Sequence, residues 1–401
     1  MNDTLKQSAS LSRERLIWSR PKHYAPFIHL PESSRNIYRV IFIAASLPLM
    51  AGIVIFGWRA LIVTILSVAG CVITESAYYR ITQTPAMHGR MHGAVTGLLL
   101  ALTLPATVPW YVPITAAVFA TIIGKALFGG MGHFLWQPAL VGRLAVTVIF
   151  APPLFNANLV APEKWSVLAQ NRIILGDVCK AKQIEIYHQW QGTPPPSDCD
   201  AFKLPRPRKI LRKLTLSTDH PPESITSVIL KMPPAEDLIL GTHGGGIGET
   251  SAIIIILAGL YLIHRNYIRS YLPGMFMLAA AITAAVAPVR TGDGLWQWCP
   301  ITAEGIETGF IYVAYHLASG ELLLAGWLLA TEMTSRPITA SAQAIFGILC
   351  GAAAMLIRLY LDFPIPAYAA VLLGNTFTPL LDAAVRPRAL KRTPHEFYEK
   401  I

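Results

Sequence analysis

Four short stretches concentrate residue types that do chemistry. The first runs from Phe128 to Arg143 and places Gly129, Gly130 and Gly132 just ahead of Pro138. Glycines so spaced let a backbone approach a flat or anionic group, and a tight turn between two helices uses the same residues. Arg143 falls well inside an apolar run, where a buried arginine is costly and takes a partner or a ligand. The second stretch, Gly244–Ser251, reads Gly-Gly-Gly-Ile-Gly-Glu-Thr-Ser directly before an apolar run. A glycine-rich turn that opens a helix exposes unpaired N–H groups suited to phosphate or carboxylate. Gly248, Glu249, Thr250 and Ser251 are therefore candidate ligand contacts. Glu249 at a helix start is also what the helix dipole favours with no ligand at all. No lysine follows the last glycine, so this is not a P-loop. The third stretch, Ala330–Pro337, brings hydroxyls together with Glu332, and the fourth, Gly374–Asp382, ends on Asp382 near a membrane boundary. Carboxylates inside lipid mark ion or proton routes by default, so Glu332, Asp382 and Arg143 are candidate pathway residues. Glu75 and Glu321 are further acids in or near apolar runs, and pairing with Arg143 or Lys125 is their structural alternative.

The elements that must hold these residues are membrane helices. Of 401 residues, 53% are hydrophobic and only 14% charged, against about 25% charged in soluble domains. Mean hydropathy is +0.46. Disordered chains, disulfide miniproteins and most soluble enzymes are excluded, and an all-α polytopic membrane protein is implied. Apolar runs lie near 38–57, 60–78, 93–108, 111–128, 135–152, 249–265, 271–289, 307–330, 339–357 and 365–384. Each is long enough to cross the hydrocarbon layer when tilted or slightly short. Pro105, Pro138 and Pro379 inside them predict broken helices, tolerated where protein or a cavity satisfies the freed backbone.

Basic residues set the orientation. The formal charge of +10 needs no nucleic acid, because lysines and arginines gather at the two ends and in short connections (Arg80, Arg90, Arg265, Arg269). Ten crossings place all of these on one side, so both termini face the cytoplasm. The expected organisation is a cytoplasmic segment 1–36, a membrane half 37–152, an extracytoplasmic segment 153–248, a second half 249–385 and a tail 386–401. The long segment carries Lys203, Arg206, Arg208, Lys209, Arg212 and Lys213, which weakly oppose that placement, but long loops cross largely regardless of charge. Cys179 and Cys199 within it pair on an oxidising side or stay free. A faint echo relates Leu98–Ala101 to Leu322–Ala325 and Gln137–Leu140 to Thr378–Leu381. Two halves with an odd number of spans would be inverted repeats, which build sites near the membrane midplane.

In order along the chain, Gly97–Pro105, Ile123-Gly124-Lys125, Phe128-Gly129-Gly130-x-Gly132 with Pro138-Ala139-Leu140, Gly248–Ala252 and Ala330–Pro337 resemble the RnfD/NqrB family. The likeness is collinear over roughly residues 35–385. It implies an integral subunit of an Rnf- or Nqr-type complex in the inner membrane. Such a subunit passes electrons through flavin, couples this to Na⁺ or H⁺ movement, and contacts other subunits and lipid. It implies FMN, with riboflavin as a further candidate. The family esterifies FMN to a threonine in a Ser/Thr-Gly-Ala-Thr motif. Here Ser224-Ile225-Thr226-Ser227 aligns with it, making Ser227 the first acceptor and Thr226 the second. The Gly-Ala pair has become bulkier Ile-Thr, and the preceding acid is out of register, with Asp219 nearest. Both changes count against covalent attachment. The family's asparagine before proline is Gln137, its aspartate in the Ala-Thr-Asp stretch is Glu332, and the acid before the third span gives way to Arg90-Met91-His92. Trp136, Trp296 and Trp298 either stack on a flavin or anchor at the interface. Two other functions fit the residues alone: a secondary transporter or channel without redox chemistry, and a scaffold subunit that has lost its cofactor. No nucleophile elbow, zinc spacing or Ser/His/Asp order is present.

Overall fold

In hydrocarbon a chain must satisfy its own backbone polar groups, and long apolar runs do so as helices. The structure, a computed structural model, describes residues 34–83, 91–130, 132–151, 154, 159–160, 202–203, 207–216, 224–230, 232, 239, 245–290 and 295–385. Helices stand at all ten apolar runs: α1 (Ser34–Phe56), α2 (Trp58–Thr82), α3 (Met91–Thr103), α4 (Tyr111–Ile122), α5 (Pro138–Ile149), α6 (Ala252–His264), α7 (Tyr271–Val286), α8 (Ile306–Ala318), α9 (Glu321–Leu324), α10 (Ala340–Tyr360) and α11 (Pro366–Ala384). The chain is a polytopic membrane protein. Among the described residues, Ser34–Phe56, Trp58–Thr82, Tyr111–Phe128 and Ala340–Tyr360 are each long and apolar enough to cross a bilayer unaided. Small elements fill the rest: helices Pro207–Leu211, Lys213–Leu216, Ile225–Leu230 and Pro300–Ala303, and antiparallel pairs Leu159–Val160 with Phe202–Lys203 and Val289–Arg290 with Trp296–Gln297.

Two predicted spans are interrupted. The third stops at Thr103, and 104–110 continues without helix. The eighth, expected to run unbroken over 307–330, breaks at Ser319-Gly320, where Gly320 takes φ 74°. Beyond the break α9 runs into a π-helical turn, Ala325–Leu329, and then into irregular chain to Thr339. Thus α3 and α9 are half-helices, each followed by a non-helical stretch. Nearly all of α3 is buried, and so is all of α9. The prolines divide differently from expectation. Pro105 follows a helix and Pro138 opens one, whereas Pro379 sits inside an uninterrupted α11.

The helices pack in a repeating pattern. In the first half α2 packs on α3 and α4, α4 on α5, α1 on α3, and α3 on α5. In the second, α7 packs on α8 and α10, α10 on α11, α6 on α9, and α9 on α11. The halves meet through α1 against α6 and α5 against α11. Pro138 is the first residue of α5 and Pro366 the first residue of α11, whereas Pro379 lies inside α11. One constant offset relates Thr103 to Thr331, Pro109 to Pro337 and Pro138-Ala139 to Pro366-Ala367. Leu98–Ala101 against Leu322–Ala325 is out of that register.

Helices in lipid gain little from burying apolar surface, so close backbone approach carries the packing. On α10, Gly347 and Gly351 form a small-xxx-small pair against α7. A Cβ at Gly351 would stand 2.1 Å from the Phe276 carbonyl oxygen, and one at Gly347 would stand 2.7 Å from that of Leu272. Gly97 of α3 meets Val68 of α2 in the same way. Contacts sort the helix ends into two layers. The near end holds the starts of α1, α3 and α5 and the end of α11. The far end holds the end of α3 and the starts of α9 and α11. Replacing Gly351 by leucine forces α7 and α10 apart and is expected to cost at least about 1–3 kcal/mol. Gly274→Ala, where an added Cβ meets nothing within 4 Å, costs nothing and gains up to about 0.5–1 kcal/mol of helix stability. Thermal unfolding of the two variants in detergent reads the difference.

Candidate functional site

Buried polar side chains gather at both ends of α3. At the near end, the Lys125 ammonium, held just before the 3₁₀ turn Ala126–Phe128, donates to Glu75 Oε1 of α2. The same ammonium lies 2.8 Å from His92 Nδ1. Side chains of Lys125 and Glu75 are 4% and 8% exposed, so the pair is screened from bulk water. Gly93 makes room for it, because a Cβ there would lie 2.2 Å from Glu75 Oε2. Tyr38 and Phe134 enclose the His92 ring, at centroid distances of 5.0 and 5.6 Å. Beside His92 is a cavity of about 30 Å³ whose polar lining comes from Tyr38, His92, Thr96, Gln137, Thr331 and Glu332. The pairing of Glu75 with Lys125 is one of the alternatives open in the sequence, whereas His92 and the role of Gly93 are not among them. The available signal is His92 itself, an ionisable residue at the head of a buried apolar helix, where such residues are rare.

Glu332 and Asp382 each hold backbone. Glu332 accepts from the backbone N–H of Thr334 at 2.9 Å and of Ser335 at 3.0 Å, and Asp382 accepts from that of Ile338 at 2.9 Å. Thr378, one turn before Asp382, donates to the Ser335 carbonyl. These groups on α11 hold the irregular stretch after α9. Gln137 fills the role of a cap: its side chain accepts from Leu140 N at 2.7 Å, which an asparagine would also do.

At the far end, Glu249 accepts from Gly246 N at 2.8 Å and from the Tyr368 hydroxyl at 2.5 Å. Backbone N–H groups of Ile247 and Gly248 donate to the carbonyls of Leu104 and Leu102. A Cβ on Gly248 would stand 2.6 Å from Leu102. The glycines of this turn therefore admit the end of α3. Ser251 donates to Ile239 O. Arg143 is 5% exposed, has Glu249 as the strongest charge acting on it, and leaves Nε and Nη1 without hydrogen bonds. Thr250 Oγ1 is equally orphaned. Glu321 accepts from Arg208 Nη1 at 3.0 Å and Ala367 N at 3.2 Å. Arg358 donates to the carbonyls of His316 and Ser319, where α8 ends. Arg212 pairs with Asp362, so two of the basic residues that opposed the placement of 153–248 meet acids of the bundle.

Ser224-Ile225-Thr226-Ser227 begins the short helix Ile225–Leu230. The Glu304 carboxylate accepts from Ile225 N, Thr226 N and the Thr226 hydroxyl at 2.7–2.8 Å. Ser227 donates its hydroxyl to Ser224 O at 2.8 Å. Thr226 is exposed and Ser227 half-buried. Gly129, Gly130 and Gly132 all take positive φ, 96°, 95° and 89°, and the turn alone requires them. The two glycine-rich stretches lie at opposite ends of α3, one beside Lys125 and the other against Leu102. They do not converge on one pocket. Trp136 donates to Thr376 at 3.0 Å, while Trp296 and Trp298 are exposed, as interfacial anchors are. Cys179, Cys199, Asp219, Gly244 and the basic termini lie outside the described residues. Among the described residues no His/Cys/Asp/Glu group has the makings of a metal site.

Residues 22–391 match the model of the NQR2, RnfD, RnfE family. The chain is 32% identical to the D subunit of the ion-translocating oxidoreductase complex of Stutzerimonas stutzeri over 363 residues, covering 87% of this chain and 90% of that protein. It is 28% identical to the D subunit of the proton-translocating ferredoxin:NAD(+) oxidoreductase complex of Clostridium ljungdahlii, covering 90% and 93%. It is also 28% identical to the D subunit of the Na(+)-translocating ferredoxin:NAD(+) oxidoreductase complex of Acetobacterium woodii, covering 91% and 93%.

Removing one partner of a buried ion pair strands the other, at about 3–5 kcal/mol, whereas replacing both with apolar or neutral groups is often neutral. Glu75→Gln and Lys125→Met are each expected to destabilise the protein by that order, and the double variant to recover most of the loss. Thermal denaturation of the three variants in one detergent measures it.

Proposed function

Because the chain belongs to the NQR2, RnfD, RnfE family, we propose that it is the integral membrane D subunit of an ion-translocating, Rnf-type electron-transport complex. The carrying observation is the family match over nearly the whole chain, joined to a bundle of interrupted helices with ionisable groups buried at both ends. Its partners are the other subunits of that complex. Electrons pass through flavin, and their flow is coupled to movement of Na⁺ or H⁺.

The far end suits a flavin nucleotide. Arg143 and Thr250 carry buried donors without partners, beside the Gly-Glu-Thr-Ser turn, and a buried orphan donor is costly unless a ligand or water meets it. An anionic or carbonyl-bearing group would satisfy both. FMN, when bound, would supply one- and two-electron chemistry. Ser227 and Thr226 are the hydroxyls available for attachment. The glycine turn of Gly129–Gly132 plays no part in this reading, and Gly248 and Glu249 shape the site through α3 and Tyr368.

Ten crossings in the inner membrane belong to the same reading, arranged as two inverted five-span halves, 37–152 and 249–385, about the extracytoplasmic segment 153–248. Support comes from the matching order of helix contacts in the two halves and the constant offset between their prolines. The near end is then cytoplasmic. A reporter fused at the C-terminus should read cytoplasmic; a periplasmic signal removes the ten-crossing arrangement.

Purified complex should show flavin absorbance that bleaches with dithionite. A colourless complex would overturn the redox reading in favour of a transporter. Mass spectrometry of the peptide 214–231 then separates a flavin ester on Ser227 or Thr226 from flavin held without a covalent bond.

A further inference from the structure

Among the described residues, the buried or half-buried acids divide into two kinds, with Glu75 and Glu321 the fully buried ones. Glu249, Glu304, Glu321, Glu332 and Asp382 each accept at least one backbone N–H. They cap interrupted chain, and that is a structural task. Glu75 is different. It lies within the unbroken α2, and its carboxylate pairs with the side chain of Lys125. A charged pair in lipid that caps nothing is costly to keep, and intramembrane ionisable residues of that kind are functional candidates.

We propose that Glu75, Lys125 and His92 form a proton-exchange relay that loads the near-end cavity. This rests on the reading of the chain as an ion-translocating subunit and assigns the proton to a site within it. The geometry sets the direction. Lys125 holds Glu75 on one side and His92 Nδ1 on the other. An ammonium can only donate, so Nδ1 accepts and the ring hydrogen sits on Nε2. The ring lines the cavity, whose volume of about 30 Å³ exceeds the roughly 10–15 Å³ a water needs. Tyr79, at the Gly130 turn, adjoins Glu75 on the other side.

A single transfer conserves protons. A proton from the near surface binds the Glu75 carboxylate. Lys125 passes one proton to His92 Nδ1, and the imidazole releases its Nε2 proton to cavity water. Lys125 regains its proton from Glu75. One proton enters and one leaves. The ring then swings toward the cavity, where water takes the Nδ1 proton and returns one to Nε2 with no net transfer, and it swings back in its first tautomer. The titratable and charged groups around the relay are Tyr38 from α1, the buried Cys71 and Tyr79 from α2, and Glu332 from the stretch after α9, with Arg336 beside Glu332. Thr96 on α3 contacts the ring through its hydroxyl, 3.5 Å from Nδ1.

The test uses inside-out vesicles carrying the whole complex, driven by reduced ferredoxin and NAD⁺ in sodium-free buffer. Lumen acidification is recorded per electron transferred. His92→Gln and the charge-neutral pair Glu75→Gln/Lys125→Met should each lower that ratio by about tenfold or more, in the range of a lost acid–base group. The solvent deuterium effect on acidification should fall with it. The double variant keeps the pair uncharged, so misfolding does not mimic the result. An unchanged ratio in both variants overturns the relay. Wild-type vesicles that stay unacidified in sodium-free buffer but take up sodium once it is added overturn it too, while leaving the functional reading intact. Wild-type vesicles with no ferredoxin-dependent electron flow remove that reading and the relay together.

Discussion

Interrupted helices in hydrocarbon need a partner for every freed backbone group, and this fold is organised around meeting that need. Where α3 ends, Ile247 and Gly248 supply N–H groups to its last carbonyls. Where α8 ends, Arg358 does the same from α10. The opening of α11 gives an N–H to Glu321, and the chain beyond α9 is caught by Glu332 and Asp382. Unsatisfied groups at these depths would cost several kcal/mol each. Buried Glu321 is thus committed to backbone, and Gly248 admits the turn that brings two N–H groups to the end of α3.

That commitment explains which parts of the structure are readable from residues. The apolar runs locate the helices of the membrane bundle, because length and polarity are local, but not the short helices such as Ile225–Leu230. The breaks are not local. Nothing in Ser319-Gly320 alone says that α8 stops, since the stop depends on Arg358, which is 39 residues from Ser319. Prolines mislead for a related reason. Pro379 looks like Pro138, yet α11 accommodates it, and the proline that opens α11 as Pro138 opens α5 is Pro366.

The candidate site divides in the same manner. Gly-Glu-Thr-Ser is a turn opening a helix, as its residues suggest, but its glycines face the end of α3. The placement of Arg143 in an apolar run calls for a partner or a ligand, and its guanidinium has no hydrogen bond to protein at two of its nitrogens. Glu332 and Asp382 match the rule for intramembrane acids, and one oxygen of each also accepts backbone N–H groups. Only contact with the backbone distinguishes a cap from a charge carrier, and sequence carries no trace of that contact. His92 is visible in sequence only as part of the Arg90-Met91-His92 departure, and Gly93 beside it becomes legible only once the Glu75 oxygen occupies the space a Cβ would fill.

The salt bridge between Arg208 and Glu321 also has a consequence for biogenesis. Arg208 precedes Glu321 by 113 positions, so a ribosome makes the guanidinium first. By the time the acid leaves the translocon, its counter-charge is already on hand, ready to neutralise it as it partitions. Synthesis order thereby spares the second half a naked carboxylate, and a chain rearranged to place that basic helix last would have to insert α9 unaided.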